Sequence, residues 1–204
     1  MRAQLLVLAK QPVAGKVKTR LCPPLTPEQA AAVATAALED TLEVVRQVPA
    51  SRRVLVLDGI YEAEGFEVQA QRGGPMAERL AAAFDDVDPA QPALLVGMDT
   101  PQLTASLLRE ALDRLAEHEA VLGLASDGGW WALGLQQPDG ALLRDVPTSR
   151  DDTGALQIAA LRGAGLEPHL LPELRDVDTA DDARAVAALA PYGRFGRLVG
   201  ALLG

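Results

Sequence analysis

Short apolar runs alternate along this chain with longer segments of helical periodicity, and this alternation limits the possible folds more than any other feature. Residues 4–9 (QLLVLA) form a run that is apolar at successive positions after Gln4, as in a strand that is buried on both faces of a sheet. Six further runs predict strands, at residues 53–57, 66–70, 93–97, 120–124, 130–135 and 167–171. Alternating strands and helices of this kind predict an α/β fold, in which helices cover both faces of a mostly parallel sheet.

Helix-start signals separate these strands. Thr26-Pro27-Glu28-Gln29 combines a capping box with proline at the first helical position and predicts a helix that ends near residue 48. Thr104 is a suitable cap for a helix over residues 105–117, and Thr179 with Asp182 for a helix after the last strand. Two more helices are predicted, at residues 77–84 and 153–163.

Composition excludes several classes of protein. With 204 residues, 49% of them hydrophobic, the chain can bury one core, and we expect a single domain over residues 1–204. A formal net charge of −9 argues against general binding to nucleic acid or to an anionic membrane. Cys22 is the only cysteine, and no Cys/His metal spacing is present. Because no apolar run resembles a signal sequence or a membrane span, we expect a cytoplasmic protein.

The loop after the first strand is the strongest candidate for a binding site. Residues 10–21 hold four cations in an acidic chain, and Gly15 lies among them, where backbone amides can approach an anion closely. Lys18 and Arg20 are suited to neutralise a di- or triphosphate. A solvated surface loop would have a similar composition. This position, however, is where doubly wound sheets bind phosphates, although neither a Walker motif nor G-x-G-x-x-G is present.

Acidic clusters follow three other strands. Asp99 would be repelled by a bound polyphosphate unless Mg²⁺ lay between them, and Asp176 or Asp178 is a possible second ligand. The same carboxylates also suit turns and helix starts. Residues 127–131, Asp-Gly-Gly-Trp-Trp, combine a tight turn with aromatic side chains for a pocket wall or for the core. Right-handed crossovers place all these clusters at one edge of the sheet, where a cation-bridged polyphosphate accounts for them together.

Four motifs together resemble the DUF2064 family of glycosyltransferase-like proteins. They are K-x-P-x-x-G-x-x-K-T-R-L from Lys10, G-x-D-x-P-x-L from Gly97, D-G-G-W-W from Asp127 and D-V-D-T-x-D-D from Asp176. The N-terminal part is also similar to 2-phospholactate guanylyltransferase and, more distantly, to molybdenum cofactor guanylyltransferases. The resemblance implies a Rossmann-like GT-A domain, a three-layer α/β/α sandwich with a mostly parallel mixed sheet.

The resemblance also implies roles for individual residues. A nucleotide donor, either an NTP or an NDP-sugar, would bind with Mg²⁺ or Mn²⁺ beside a small-molecule acceptor. Lys18, Arg20 and Asp99 are then the catalytic candidates, and Asp99 and Asp178 match the metal-binding positions. The nucleotide-binding candidates are Lys10, Gly15, Gln71, Gly73 and Gly74. The acceptor-binding candidates are Asp127, Gly128, Gly129 and Trp130.

Two reactions fit this site. Nucleotidyl transfer from an NTP to a phosphorylated acceptor is slightly favoured, because the cationic loop suits a departing pyrophosphate. Glycosyl transfer from an NDP-sugar is the alternative, and a non-catalytic nucleotide-binding module is another. Apolar residues near the C-terminus recur at helical spacing, and we expect this helix to pack on its own domain, with self-association in a homodimer as the alternative.

Overall fold

The computed structural model describes residues 2–204, in which seven strands form one sheet. The strands are β1 (Gln4–Lys10), β2 (Arg52–Asp58), β3 (Glu67–Ala70), β4 (Ala93–Gly97), β5 (Ala120–Ala125), β6 (Trp130–Leu135) and β7 (His169–Leu174). Their order across the sheet is β3-β2-β1-β4-β6-β5-β7. The predicted α/β class is therefore confirmed.

β6 is the strand that makes the sheet mixed. It pairs antiparallel with both β4 and β5, whereas the other neighbouring strands pair in parallel. In this register Val96 lies opposite Ala132, and Leu124 lies opposite Trp130. β6 consequently begins at the edge where the parallel strands end. The hairpin at residues 126–129 thus joins the strand-to-helix loops at one edge, which we call the carboxyl edge.

The described part of the chain also forms seven α-helices and one 3-10 turn. The helices are α1 (Pro27–Arg46), α2 (Met76–Asp85), α3 (Ala105–Glu117), α4 (Ala141–Arg144), α5 (Thr153–Gly163), α6 (Ala180–Leu189) and α7 (Arg194–Leu203), and the turn is Thr19–Leu21. The predicted capping box of α1 is confirmed, since the Gln29 amide N–H donates to the Thr26 hydroxyl and the Thr26 N–H donates to the Gln29 side chain. None of these helices is long and apolar enough to cross a membrane.

The core lies on both faces of the sheet. On one face, strand residues such as Val7 pack against α1 and α3, for example against Leu38 and Leu108. On the other face, residues such as Leu6 pack against α2 and α5, for example against Phe84. Successive strand residues are therefore buried on opposite sides, which explains why the central segments of β1, β2 and β4 are apolar at successive positions.

α7 packs on its own chain, as expected from its apolar spacing. Phe195 and Val199 are buried against α1 and α6 in a third apolar cluster. The helix begins where the backbone amides of Arg194 and Phe195 donate to the carboxylate of Asp40, at 3.1 and 2.9 Å. A carboxylate at this end of a helix also interacts favourably with the helix dipole.

The last strand begins later than predicted. The sequence predicts a strand over residues 167–171, but β7 starts at His169. Gly165 has φ +84°, and the amide of Leu166 donates to the carbonyl of Leu161, so these residues terminate α5 instead. Pro168 then has no N–H to donate to the neighbouring strand. The 3-10 turn and α4 were not predicted because they are too short to show periodicity.

Candidate active site

Lys18 joins three segments at the carboxyl edge. Its Nζ lies 2.7 Å from Asp99 Oδ1 and also donates a hydrogen bond to the carbonyl of Val177. The amide of Val177 in turn donates to the carbonyl of Asp99 at 2.9 Å. The Lys18 side chain is 11% exposed, whereas that of Asp99 is 50% exposed. The loops that follow β1, β4 and β7 therefore meet around one ammonium group.

The backbone of Lys18 has an unusual conformation. Its φ of +48° and ψ of +38° lie in the left-handed region, which costs a residue other than glycine about 1 kcal/mol. The 3-10 turn begins directly after it, with the amide of Leu21 donating to the carbonyl of Lys18 at 2.9 Å. Strained backbone of this kind persists only where surrounding contacts hold it, and it is frequent at functional sites.

A second ion pair joins the same loops. The Arg20 guanidinium contacts the carboxylate of Asp178, and both side chains are largely open to solvent. Lys18 and Arg20 thus each neutralise a carboxylate that the sequence analysis assigns to a metal ion. Exposed pairs of this kind contribute little to stability, so Arg20 and Asp178 are free to exchange partners.

A cleft of about 320 Å³ opens around these two pairs, and we call it the basic cleft. Its charged lining consists of Lys10, Lys16, Lys18, Arg20, Asp99 and Asp178. The cationic loop therefore surrounds a cavity and is not only a solvated surface. Met76, at the start of α2, also lines it.

A smaller cleft of about 190 Å³ shares Asp99 with the basic cleft, and we call it the acidic cleft. Asp127 and Asp176 also line it. Partial burial and the nearby carboxylate of Asp127 raise the pKa of Asp176 to about 6. Thr100, which is 2% exposed, lies beside them, and its hydroxyl has no hydrogen-bond partner within residues 2–204.

The glycines of the hairpin are required by close packing. Gly128 has φ +89°, and a Cβ on it would lie 1.8 Å from the carbonyl oxygen of Asp151, just before α5. Its own carbonyl accepts a hydrogen bond from the amide of Gly154 at 2.8 Å. Asp127 Oδ1 accepts from the amide of Gly129 at 2.7 Å, which orients the Asp127 carboxylate. The hairpin is thus fixed against α5 and presents Asp127 to the acidic cleft.

The two tryptophans have different roles. Trp131 is buried, and its Nε1 donates to the carbonyl of Pro172 at 3.0 Å, so it belongs mainly to the core. Trp130 is half-buried and lines the acidic cleft. Both structural options for this motif therefore occur, one at each tryptophan.

The predicted base-binding segment lies outside these two clefts. Gln71 Nε2 donates to the carbonyls of Ala9 and Val56, at 2.8 and 3.1 Å, so its amide hydrogens already bind the ends of β1 and β2. Gly73 and Gly74 do not line the basic or the acidic cleft. The assignment of these three residues to the nucleotide stays a prediction.

The donor set fits a divalent metal that arrives with its ligand. Within residues 2–204, no group of three or more His, Cys, Asp or Glu side chains could hold a metal ion by itself. Asp99 and Asp178 nevertheless line one cleft together with the cationic loop. Mg²⁺ often takes one or two protein carboxylates and completes its coordination with phosphate and water oxygens. These residues therefore suit Mg²⁺ or Mn²⁺ bound to a polyphosphate.

Sequence comparison identifies the family. The profile of DUF2064, described as an uncharacterized protein conserved in bacteria, matches residues 31–150. The chain belongs to this family. No functionally curated protein has significant sequence similarity to it.

Solved structures share the fold of this DUF2064 protein. A protein from Desulfovibrio desulfuricans G20, provisionally described as a nucleotide-diphospho-sugar transferase, is 24% identical, with a TM-score of 0.86 over 98% of this chain and 95% of its own. Rv0371c from Mycobacterium tuberculosis H37Rv, in complex with manganese, is 20% identical, with a TM-score of 0.57 over 90% and 97%. 2-C-methyl-D-erythritol 4-phosphate cytidylyltransferase from Thermus thermophilus is 17% identical, with a TM-score of 0.57 over 93% and 99%. These likenesses confirm the GT-A-like α/β/α fold.

Proposed function

We propose that this protein is a Mg²⁺-dependent transferase that uses a nucleotide donor, either an NTP or an NDP-sugar. The observation that carries the proposal is the meeting of Lys18 with Asp99, and of Arg20 with Asp178, around one cleft at the carboxyl edge. Ligands of open α/β sheets bind at this edge. Proteins of the same fold include a cytidylyltransferase and a manganese complex, which supports the choice of nucleotide and metal.

The two ion pairs suggest how the donor binds. A nucleotide polyphosphate with its metal ion carries both signs of charge, so it can replace both pairs at once. Lys18 and Arg20 would then contact the phosphates, with Lys10 and the backbone at Gly15 beside them. Asp99 and Asp178 would hold the metal, which when bound neutralises charge on the phosphates.

Nucleotidyl transfer to a phosphorylated acceptor is the reaction that we favour. A phosphate oxygen of the acceptor would form a bond to the α-phosphorus, while the bond from that phosphorus to the oxygen bridging to the β-phosphorus breaks and pyrophosphate leaves. Lys18 and Arg20 would stabilise the charge of the departing pyrophosphate, because they lie on the cationic side of the site. The acceptor would lie at the acidic cleft, near Asp127 and Trp130.

Glycosyl transfer from an NDP-sugar is the second candidate, and the acidic cleft favours it. Asp176 and Asp127 line the acidic cleft beside Asp99, on the side away from the cationic loop. A carboxylate in that position can accept the proton of an attacking acceptor hydroxyl. A phosphate acceptor would not need such a base.

One assay separates these reactions. The protein is incubated with Mg²⁺, each NTP and a pool of sugar phosphates, and pyrophosphate release is measured. Parallel reactions with NDP-sugars measure the release of NDP. Pyrophosphate release that is lost in Asp99→Asn supports nucleotidyl transfer, and NDP release supports glycosyl transfer. Nucleotide binding without either product would identify a non-catalytic module.

A further inference from the structure

A third cleft opens at the carboxyl edge, on the face of the sheet that α2 and α5 cover. One part of its wall is apolar and consists of Leu8 on β1, Leu95 on β4, Met76 and Leu80 on α2, and Trp130 on β6. The opposite part is polar and includes Thr148, Ser149, Arg150 and Thr153. We call it the apolar cleft. No motif in the sequence identified Met76 or Leu80 as part of a binding site.

The apolar cleft is continuous with the candidate active site. It shares Gly97, Asp127 and Gly129 with the acidic cleft, and it shares Met76 with the basic cleft. A ligand bound to the metal and phosphate residues could therefore extend one end into it.

The size of the cleft indicates what it can hold. Its volume is about 190 Å³, and an engineered protein cavity of about 150 Å³ takes one benzene ring. The cleft is therefore large enough for one six-membered ring. Met76 is 41% exposed and leaves one wall open to solvent.

The charged residues that line the cleft disfavour a ring that carries a carboxylate. Arg150 is the cation among its lining residues, and its Nε and Nη2 donate to the two carboxylate oxygens of Asp152, at 2.7 and 2.9 Å, so the charge of Arg150 is largely offset by this pair. Asp127, in contrast, has no ion-pair partner in the described chain, and only its Oδ1 is engaged, by the amide of Gly129. A ring carboxylate would thus meet an uncompensated negative charge, whereas a ring hydroxyl could donate to Asp127 Oδ2.

We propose that the apolar cleft selects an uncharged ring that carries hydroxyl groups, and that Asp127 is the residue that rejects a ring bearing a carboxylate. This inference rests on the transferase function proposed above. The ring would be the sugar of the nucleotide donor or part of a separate acceptor. In the second case, a phosphate on the acceptor would point away from the cleft, towards Lys18.

The test compares neutral rings with their carboxylated counterparts in three arms. Methyl glycosides and methyl glycuronides, which carry no phosphate, are titrated by ligand-observed NMR. NDP-sugars and NDP-uronates measure a ring on the donor, and sugar 1-phosphates and uronic acid 1-phosphates, assayed with NTP, measure a ring on the acceptor. We expect a preference for the neutral ring of about tenfold in wild type, reduced to about threefold or less in Asp127→Asn.

Asp139→Asn is the matched control. Asp139 is also exposed, and its Oδ1 accepts a hydrogen bond from an amide two residues later, that of Ala141, at 2.8 Å. It lies outside the apolar cleft, so its variant should keep the wild-type preference. The thermal melting temperature of both variants shows whether they fold.

The outcomes separate this inference from the proposed function. If no NTP or NDP-sugar binds, the transferase proposal fails, and the glycoside titration still tests the cleft. Equal or tighter binding of the carboxylated ring by wild type overturns the inference, as does an unchanged preference in a folded Asp127→Asn. A preference in the NDP-sugar arm would show that the ring belongs to the donor. A preference in the sugar 1-phosphate arm would show that it belongs to the acceptor.

Discussion

Buried polar side chains at the two edges of the sheet differ in their hydrogen bonding. At the amino edge, Gln4 is fully buried, and its amide makes three hydrogen bonds with the backbone of residues 88–91. At the carboxyl edge, Thr100 is equally enclosed, yet its hydroxyl has no partner in residues 2–204. Buried polar groups are nearly always satisfied, so the two enclosed side chains differ in what the rest of the fold supplies to them.

Backbone conformation also differs between the two edges, and each edge holds a titratable group with a shifted pKa. Lys18 has left-handed backbone at the carboxyl edge, and the pKa of Asp176 is raised there. The amino edge instead holds His118 and His169, whose rings stack with centroids 4.6 Å apart. Polar groups at the amino edge therefore find their partners within the fold, whereas the proposed function assigns those at the carboxyl edge to a ligand.

The largest expected effect on stability concerns two glycines with positive φ, one at each edge. Gly128→Ala should lower the free energy of unfolding by about 3 kcal/mol or more, because the new Cβ meets the Asp151 carbonyl. Gly165→Ala should cost only about 1 kcal/mol, since nothing lies within 4 Å of its Cβ position. Urea denaturation measures both values. Equal losses would contradict the proposed tight packing of the hairpin on α5.

Lys18→Met should weaken nucleotide binding by about 2 kcal/mol, or about 30-fold, because a charge-assisted contact to phosphate is lost. Arg114→Met is the comparison at the other edge, where Arg114 pairs with Glu117 at 3.2 Å on the surface of α3. Calorimetric titration with NTPs and Mg²⁺ should show no change for this second variant. Similar losses in both variants would mean that net charge, not position, controls binding.

Asp176 should make the metal-free protein less stable as the pH rises. Its pKa is about 6 in the folded state and about 3.8 when unfolded, so the folded state binds the proton more tightly. The stabilisation from protonation is present below pH 3.8 and is lost as the pH rises to about 6. After allowance for solvent screening, Asp176→Asn should remove a dependence of about 1 kcal/mol. Denaturation between pH 4 and pH 7 in EDTA measures it, and identical profiles for both proteins would contradict the raised pKa.

His169 should produce a smaller effect of opposite sign. Burial, the neighbouring His118 and Arg114 lower its pKa below the usual value of 6.5. The unfolded state then binds the proton more tightly, so stability is full above pH 6.5 and decreases as the pH falls below it. The melting temperature of wild type should fall more between pH 7 and pH 5.5 than that of His169→Gln. A steeper fall of the melting temperature in His169→Gln would contradict the lowered pKa of His169.

Local signals were sufficient to predict most of the fold. The strands show buried apolar runs, and the caps at Thr26, Thr104 and Thr179 accept the predicted amides. The direction of β6 was not predicted, because apolar periodicity carries no information on strand orientation. The antiparallel course of β6 means that this strand, unlike the others, begins at the carboxyl edge, directly after the hairpin at Asp127.

The candidate site was predicted in outline but not in its contacts. Topology alone places Lys18, Asp99 and Asp178 at one edge, and they do line one cleft. The hydrogen bond between Lys18 and the carbonyl of Val177, 159 residues away, depends on loop packing that no local pattern encodes. The enclosed hydroxyl of Thr100 and the apolar cleft could not be predicted either, because in the sequence the apolar residues that line this cleft resemble ordinary core residues.

The most direct test of the central claim is the affinity for nucleotide with and without Mg²⁺. Each NTP and a set of NDP-sugars are titrated calorimetrically into wild type and Asp99→Asn, in Mg²⁺ and in EDTA. The account predicts that binding by wild type is strongly enhanced by Mg²⁺ and that Asp99→Asn loses this enhancement while staying folded. Nucleotide binding that is equally tight in EDTA, or unchanged in Asp99→Asn, would contradict a metal-bridged polyphosphate site.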